Sequence, residues 1–209
     1  MKKVHLITLA LSLGIAFTAC NNEKKSSGAM DSTKDAELST DQTAMAIDLE
    51  KSTVKWTGSL VGVYNHYGTL DFKSGSISIK DGKINEGVFV IDMKTMKPAD
   101  ENYNPDEGST KEKLIQHLSS ADFFDVENYP EASFTIKKHE NNTITGDLTI
   151  RGKTNEEVVK NVQIKKENGK KVFYGTMTFN RHKYDVTWKH PMKDKVLSDD
   201  IELKIKLVE

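Results

Sequence analysis

Cysteine is nearly absent from this 209-residue chain, arginine is scarce, and neither sign of charge dominates. The one cysteine, Cys20, excludes an internal disulfide framework and any site built from several thiolates. Lys plus Arg is 30 and Asp plus Glu is 31, a formal net charge of -1 that leaves no positive excess to neutralise phosphates. A general nucleic-acid binder is therefore not expected. Familiar catalytic punctuation is missing as well. There is no Gly-x-Ser-x-Gly elbow, no Walker loop and no pair of histidines at the spacing of a compact metal site. The mean hydropathy of -0.56 belongs to a chain with a modest apolar content of 36%.

What is present falls into three stretches. Met1-Lys2-Lys3 places two positive charges ahead of a mostly apolar run at 4–17, and small residues follow at Thr18-Ala19. That is the order of a secretory signal peptide, and the run is too short to span a bilayer permanently. Phe17-Thr18-Ala19-Cys20 resembles the lipobox of bacterial lipoproteins, with Phe17 where an aliphatic residue is usual. The resemblance implies that Cys20 is acylated and becomes the first residue of the mature chain; the alternative is an ordinary signal peptide with a chance cysteine. Loss of Lys2 and Lys3 leaves 28 basic against 31 acidic residues. Electrostatic adsorption of the whole protein to anionic lipid is then weak, so the anchor has to hold it. Residues 1–19 are thus expected to be a lipoprotein signal peptide and residues 20–43, poor in apolar side chains, a flexible tether. The expected location is the bacterial cell envelope, membrane-anchored and facing the periplasm.

Residues 44–209 show no repeat and no second change of composition, and fit one domain. Their hydrophobic period is mostly two: Ile201, Leu203, Ile205 and Leu207 alternate with charged residues, and similar runs surround Trp56, Ile77, Phe134, Leu148 and Val162. Asp81-Gly82, Asn141-Asn142 and Asn168-Gly169 are short hairpin signals, because these residues tolerate positive φ. About eight to ten antiparallel strands in one domain curl into a barrel or pack as a sandwich. One helix interrupts them, capped by Ser109 or Thr110 and running from Lys111 to Ser119, with Leu114, Ile115 and Leu118 at helical spacing. The preceding residues 97–108 read as a surface loop, and the helix as either a lid or a plug.

Several segments carry a further resemblance: Leu114-Ile115-Gln116-His117-Leu118, Ala121-Asp122-Phe123-Phe124-Asp125-Val126, Tyr129-Pro130-Glu131-Ala132-Ser133-Phe134, and Ile144 to Thr154. Upstream lie Val54-Lys55-Trp56-Thr57-Gly58, His66-Tyr67-Gly68 and Gly87-Val88-Phe89-Val90-Ile91-Asp92, and downstream Phe179-Asn180-Arg181-His182-Lys183-Tyr184-Asp185-Val186, with Asp185 where glycine is common. In this order they resemble the polyisoprenoid-binding YceI-like family of bacterial envelope proteins. The resemblance implies a mainly β fold, a lipocalin-like extended antiparallel eight-stranded barrel with one short inserted helix. It also implies an elongated apolar pore for an isoprenoid chain or another long-chain lipid, and a binder rather than an enzyme. An eight-stranded barrel is wide enough to fill itself with side chains or to hold one slender ligand, and periodicity does not separate the two.

A polyprenyl chain offers almost no hydrogen-bonding groups, so its site has to be dry and apolar. Burying one five-carbon unit is worth about 3 to 4 kcal/mol before ordering costs. Candidate lining residues are Trp56, Phe89, Ile91, Phe134, Ile136, Ile150 and Phe179, with Phe123 and Phe124 as a gate; ordinary core packing is the alternative for each. Arg151 and Arg181 are the only arginines. A guanidinium fork grips a carboxylate or phosphate in two places, so one of them could meet a ligand head group at a barrel mouth. The competing use is a structural ion pair with Asp147, Asp185 or another carboxylate. His66 stands in a turn entering a strand and joins the ligand-binding candidates. With Arg181 and His182 it would also supply the polar site of an alternative lipid-processing enzyme; a third reading is a filled barrel serving as an interaction module. No cofactor is expected, and the oligomeric state is left open, a dimer included.

Overall fold

The computed structural model describes residues 43–209. Nine strands form one antiparallel sheet: β1 (Thr43–Ala46), β2 (Thr53–Leu60), β3 (Tyr64–Lys80), β4 (Lys83–Pro98), β5 (Glu131–Glu140), β6 (Thr143–Ile150), β7 (Lys153–Glu167), β8 (Lys170–Asn180) and β9 (Leu197–Val208). From β2 to β9 each strand pairs with its sequence neighbour, and β2 pairs with β9, which closes an eight-stranded up-and-down barrel. The alternation read from the sequence is the cause: in β6 every second residue, Ile144, Gly146, Leu148 and Ile150, is buried. β1 is the ninth strand. It pairs with residues 76–79 of β3, on the edge that β2 leaves once it has covered residues 64–70. The unpaired edge of a 17-residue strand is thereby covered.

The meander sends alternate connections to opposite ends. One end holds the 47–52 connection from β1 to β2 together with the tight turns at Asp81-Gly82, Asn141-Asn142 and Asn168-Gly169. In the last of these both residues have positive φ, 48° and 82°, the twist that two-residue hairpins require. The other end holds the turns at 61–63 and 151–152 and both long connections, residues 99–130 and 181–196. The first long connection carries α1 (Lys111–Ser119), whose N-cap Thr110 accepts a hydrogen bond from the Lys113 amide. The second opens with a short 3-10 turn, Arg181–Tyr184, ended by Asp185 at φ 58°. Aspartate tolerates that left-handed conformation, which accounts for its standing where glycine is common.

A candidate binding cavity inside the barrel

The inward faces of the strands do not close on one another. They leave a cavity of about 350 Å³, within the range of small-molecule sites. At the tight-turn end its wall is made by Ile77, Ile84, Ile144, Phe173 and Leu207, all buried. At the helix end it is made by Tyr64, His66, Leu114, His117, Trp188 and His190, which are partly exposed. The cavity therefore reaches solvent at the helix end. Trp188 is the centre of an aromatic cluster there, with ring centroids 4.6 Å from His117, 5.8 Å from His190 and 6.4 Å from Phe123. Phe123 and Phe124 meet edge to face at 5.0 Å. α1 contributes Leu114, His117 and Leu118 to the wall, so it sits over the barrel end rather than beside it.

Ten of the twelve ligand-binding candidates lie on this one cavity: Trp56, His66, Phe89, Ile91, Phe123, Phe124, Phe134, Ile136, Ile150 and Phe179. Trp56 is accommodated because it faces Gly68 on β3, where a Cβ would lie 2.8 Å from the indole ring and 2.2 Å from the Lys97 carbonyl oxygen. Arg151 and Arg181 are corrections: neither lines the cavity, and their forks are already engaged. Arg151 occupies a hairpin turn at φ 50°, and donates to three backbone carbonyls, Phe123 (3.1 Å), Asp185 (2.6 Å) and Ala121 (2.7 Å). The ion pairs considered for it go to lysines, Lys153 with Asp185 and Lys137 with Asp147. Arg181 is 2% exposed and donates to the carbonyls of Ser198, Val186 and Trp188 and to the Asp199 carboxylate at 3.2 Å. Both arginines hold connections at the helix end in place.

The polar wall of the cavity is sparse. His66 Nδ1 is 3.0 Å from Asp100 Oδ1. The buried Asp100 carboxylate also accepts from the amides of Tyr67 and Asn102 and from the Tyr103 hydroxyl. Burial alone would raise its pKa; these hydrogen bonds outweigh burial and hold it below the ordinary carboxylate value. The stretch expected to be a surface loop is exposed or half-buried along its length except at Asp100, on which four donors converge. Burial also lowers the pKa of His117, against a smaller opposing effect of Asp122. His117 Nε2 and Trp56 Nε1 are buried without a hydrogen-bond partner among the described residues. His182 is 2.6 Å from Asp199 beside Arg181, so the polar pair of the enzymatic alternative is committed to that carboxylate, away from the cavity wall. Among the described residues no three His, Cys, Asp or Glu side chains converge as a metal site would need.

Trp188, His190, Met93 and Met96 line the cavity without having been singled out from the sequence. Trp188 stands in an irregular segment with no periodicity to mark it. The methionines sit on β4, where Met93 and Met96 break strict alternation. Cys20, the signal segment 1–19 and the tether, apart from residue 43, lie outside the described residues.

A closed antiparallel barrel with an apolar cavity is the architecture of small-ligand carriers such as lipocalins. The YceI-like domain model matches residues 45–208, and the chain belongs to that family. Among curated proteins it is similar to a UPF0312 protein of Staphylococcus epidermidis, 30% identical over 128 residues, 58% of this chain and 71% of the relative. A UPF0312 protein of Pseudomonas putida is 31% identical over 106 residues, 48% of this chain and 50% of the relative. Among solved structures, BcnA of Burkholderia cenocepacia superposes with a TM-score of 0.60 at 23% identity, covering 78% of this chain and 99% of that one. A protein described as a polyisoprenoid-binding domain from Saccharophagus degradans, implicated in plant cell wall breakdown, gives 0.50 at 12% identity, covering 78% and 95%. These likenesses are likenesses of fold.

Proposed function

We propose that this protein binds, stores or carries a long apolar molecule, a polyisoprenoid or related amphiphile, in the barrel cavity. It does so in the bacterial envelope, held to a membrane through acylated Cys20 and facing the periplasm. The observation that carries the reading is the cavity wall: aliphatic and aromatic side chains from all eight barrel strands, with polar groups gathered at the helix end. The tail of an amphiphile enters toward Ile77 and Phe173, and its head group stays near His66 and His190. Binding rather than catalysis fits the commitment of Arg181 and His182 to Asp199, away from the cavity wall. Organic extraction of the purified full chain, followed by mass spectrometry, is expected to release a long-chain lipid. A protein that yields none, and whose melting temperature ignores added polyprenyl phosphate, overturns the reading. Separately, Cys20→Ser is expected to move the protein from the membrane to the soluble fraction.

A further inference from the structure

The four most exposed large apolar side chains among the described residues are Val61 and Val196 (58% each), Val63 (55%) and Met192 (54%). All four lie at the helix end, on two segments joined side by side. The Val61 amide donates to the Val196 carbonyl at 2.8 Å, and Leu60 pairs with Leu197. The turn between β2 and β3 is thus Val61-Gly62-Val63, whereas the turns of the opposite end are Asp81-Gly82, Asn141-Asn142 and Asn168-Gly169. Next to Val61, Val63 and Val196 in sequence come Leu60, Tyr64 and Leu197, which belong to the cavity wall. The exposed apolar rim therefore adjoins the mouth of the cavity.

The charge of the segment that carries Met192 and Val196 differs in sign from that of the chain, whereas the other long connection of this end, residues 99–130, is acidic, with eight Asp and Glu against two Lys. Residues 189–196 hold Lys189, Lys193 and Lys195 against the single Asp194, and the neighbouring Asp199 is engaged by Arg181 and His182. Apolar tips flanked by lysines whose stems can reach past them match the layering of a bilayer surface, with acyl chains below and phosphates above. We propose that one side of the helix end, made by residues 61–63 and 189–196, docks on an anionic lipid bilayer, with Val61, Val63, Met192 and Val196 sunk into the head-group layer and the three lysines set against the phosphates. A water-insoluble cargo then passes between membrane and cavity without crossing water. The inference rests on the proposed function only for that cargo; the docking contact is a property of the rim itself.

The test uses the full chain in a Cys20→Ser background, so that a single introduced cysteine carries an environment-sensitive fluorophore. Val63→Cys places the label on the rim, and Asn168→Cys places it in the opposite turn. Vesicles of phosphatidylcholine with phosphatidylglycerol are expected to blue-shift the label at 63 and leave the label at 168 unchanged. Combining Val61→Asp with Val196→Asp is expected to weaken vesicle affinity by about tenfold or more, and Lys193→Glu with Lys195→Glu to abolish the preference over phosphatidylcholine alone. No shift at 63, or equal shifts at both positions, overturns the proposal. A shift at 63 that follows protein concentration and ignores vesicles marks a self-association face and also overturns it. Circular dichroism of each variant shows that the barrel has formed. Extractable lipid without a shift at 63 removes the docking surface and leaves cargo binding standing, whereas a shift at 63 in a protein that fails both cargo measurements removes the cargo and supports the docking surface.

Discussion

The two ends of this barrel are made by different means. At one end each hairpin reverses within a two-residue turn and the cavity wall there is buried, so the sheet closes itself. At the other end closure depends on chain outside the sheet: α1, the Phe123-Phe124 pair and the 181–196 connection, none of which pairs with the sheet along its length. Two arginines do there what ladder hydrogen bonds do elsewhere. Arg151 and Arg181 together give five hydrogen bonds to backbone carbonyls of these connections and a sixth to that of Ser198 at the start of β9. The difference teaches that a rigid barrel and an accessible cavity can coexist if the two requirements are given to opposite ends.

The largest effect is expected from Arg181→Leu, which leaves three backbone carbonyls without their donor in a buried site, while Asp199 keeps His182. It should cost about 3 to 5 kcal/mol in chemical denaturation. A loss below 1 kcal/mol would mean that the 181–196 connection holds itself. Arg151→Asn sharpens the contrast, because asparagine keeps the left-handed turn but cannot span to residues 121, 123 and 185. Its expected loss is about 1 to 3 kcal/mol, with faster exchange of bound cargo measured by lipid transfer.

His117 gives a pH dependence. Its pKa is lowered from 6.5 by burial, so the unfolded chain takes up the proton first and stability falls as pH drops below about 6.5, levelling off beneath the folded value. The melting temperature should therefore drop between about pH 7 and pH 5, by less in His117→Phe than in the parent protein. The smallest effect belongs to the tight-turn end: Asn168→Ala should cost about 0.5 to 1 kcal/mol and leave cargo affinity unchanged. A change of affinity from that position would erase the distinction between the ends.

The tight-turn end was almost fully legible in the sequence, and the helix end only in part. Period-two alternation and the Asp-Gly, Asn-Asn and Asn-Gly pairs act locally, so they announce strands and hairpins without tertiary information. Thr110 and the Leu114, Ile115, Leu118 spacing mark α1 in the same way. The partners of Arg151 and Arg181 were not legible, since backbone carbonyls carry no sequence signature and a guanidinium suits a carboxylate equally well. The burial of Asp100 was not legible for a related reason: beside its local donors at residues 102 and 103 it takes the His66 ring and the Tyr67 amide, which only the folded chain brings to it. The cavity itself depends on whether inward side chains meet across the barrel, and alternation says which way a side chain points but not how far it reaches.

The turn at Arg151 has a consequence for how the molecule opens. A non-glycine residue in the left-handed region is held there by bonds to residues 121, 123 and 185. One guanidinium thus ties the β6–β7 turn, the segment after α1 and the residue that ends the 3-10 turn. Releasing any one of them weakens the hold on the others. Amide hydrogen exchange should therefore find these three pieces of chain opening together, as one cooperative unit less protected than the barrel strands, rather than as three independently fraying loops.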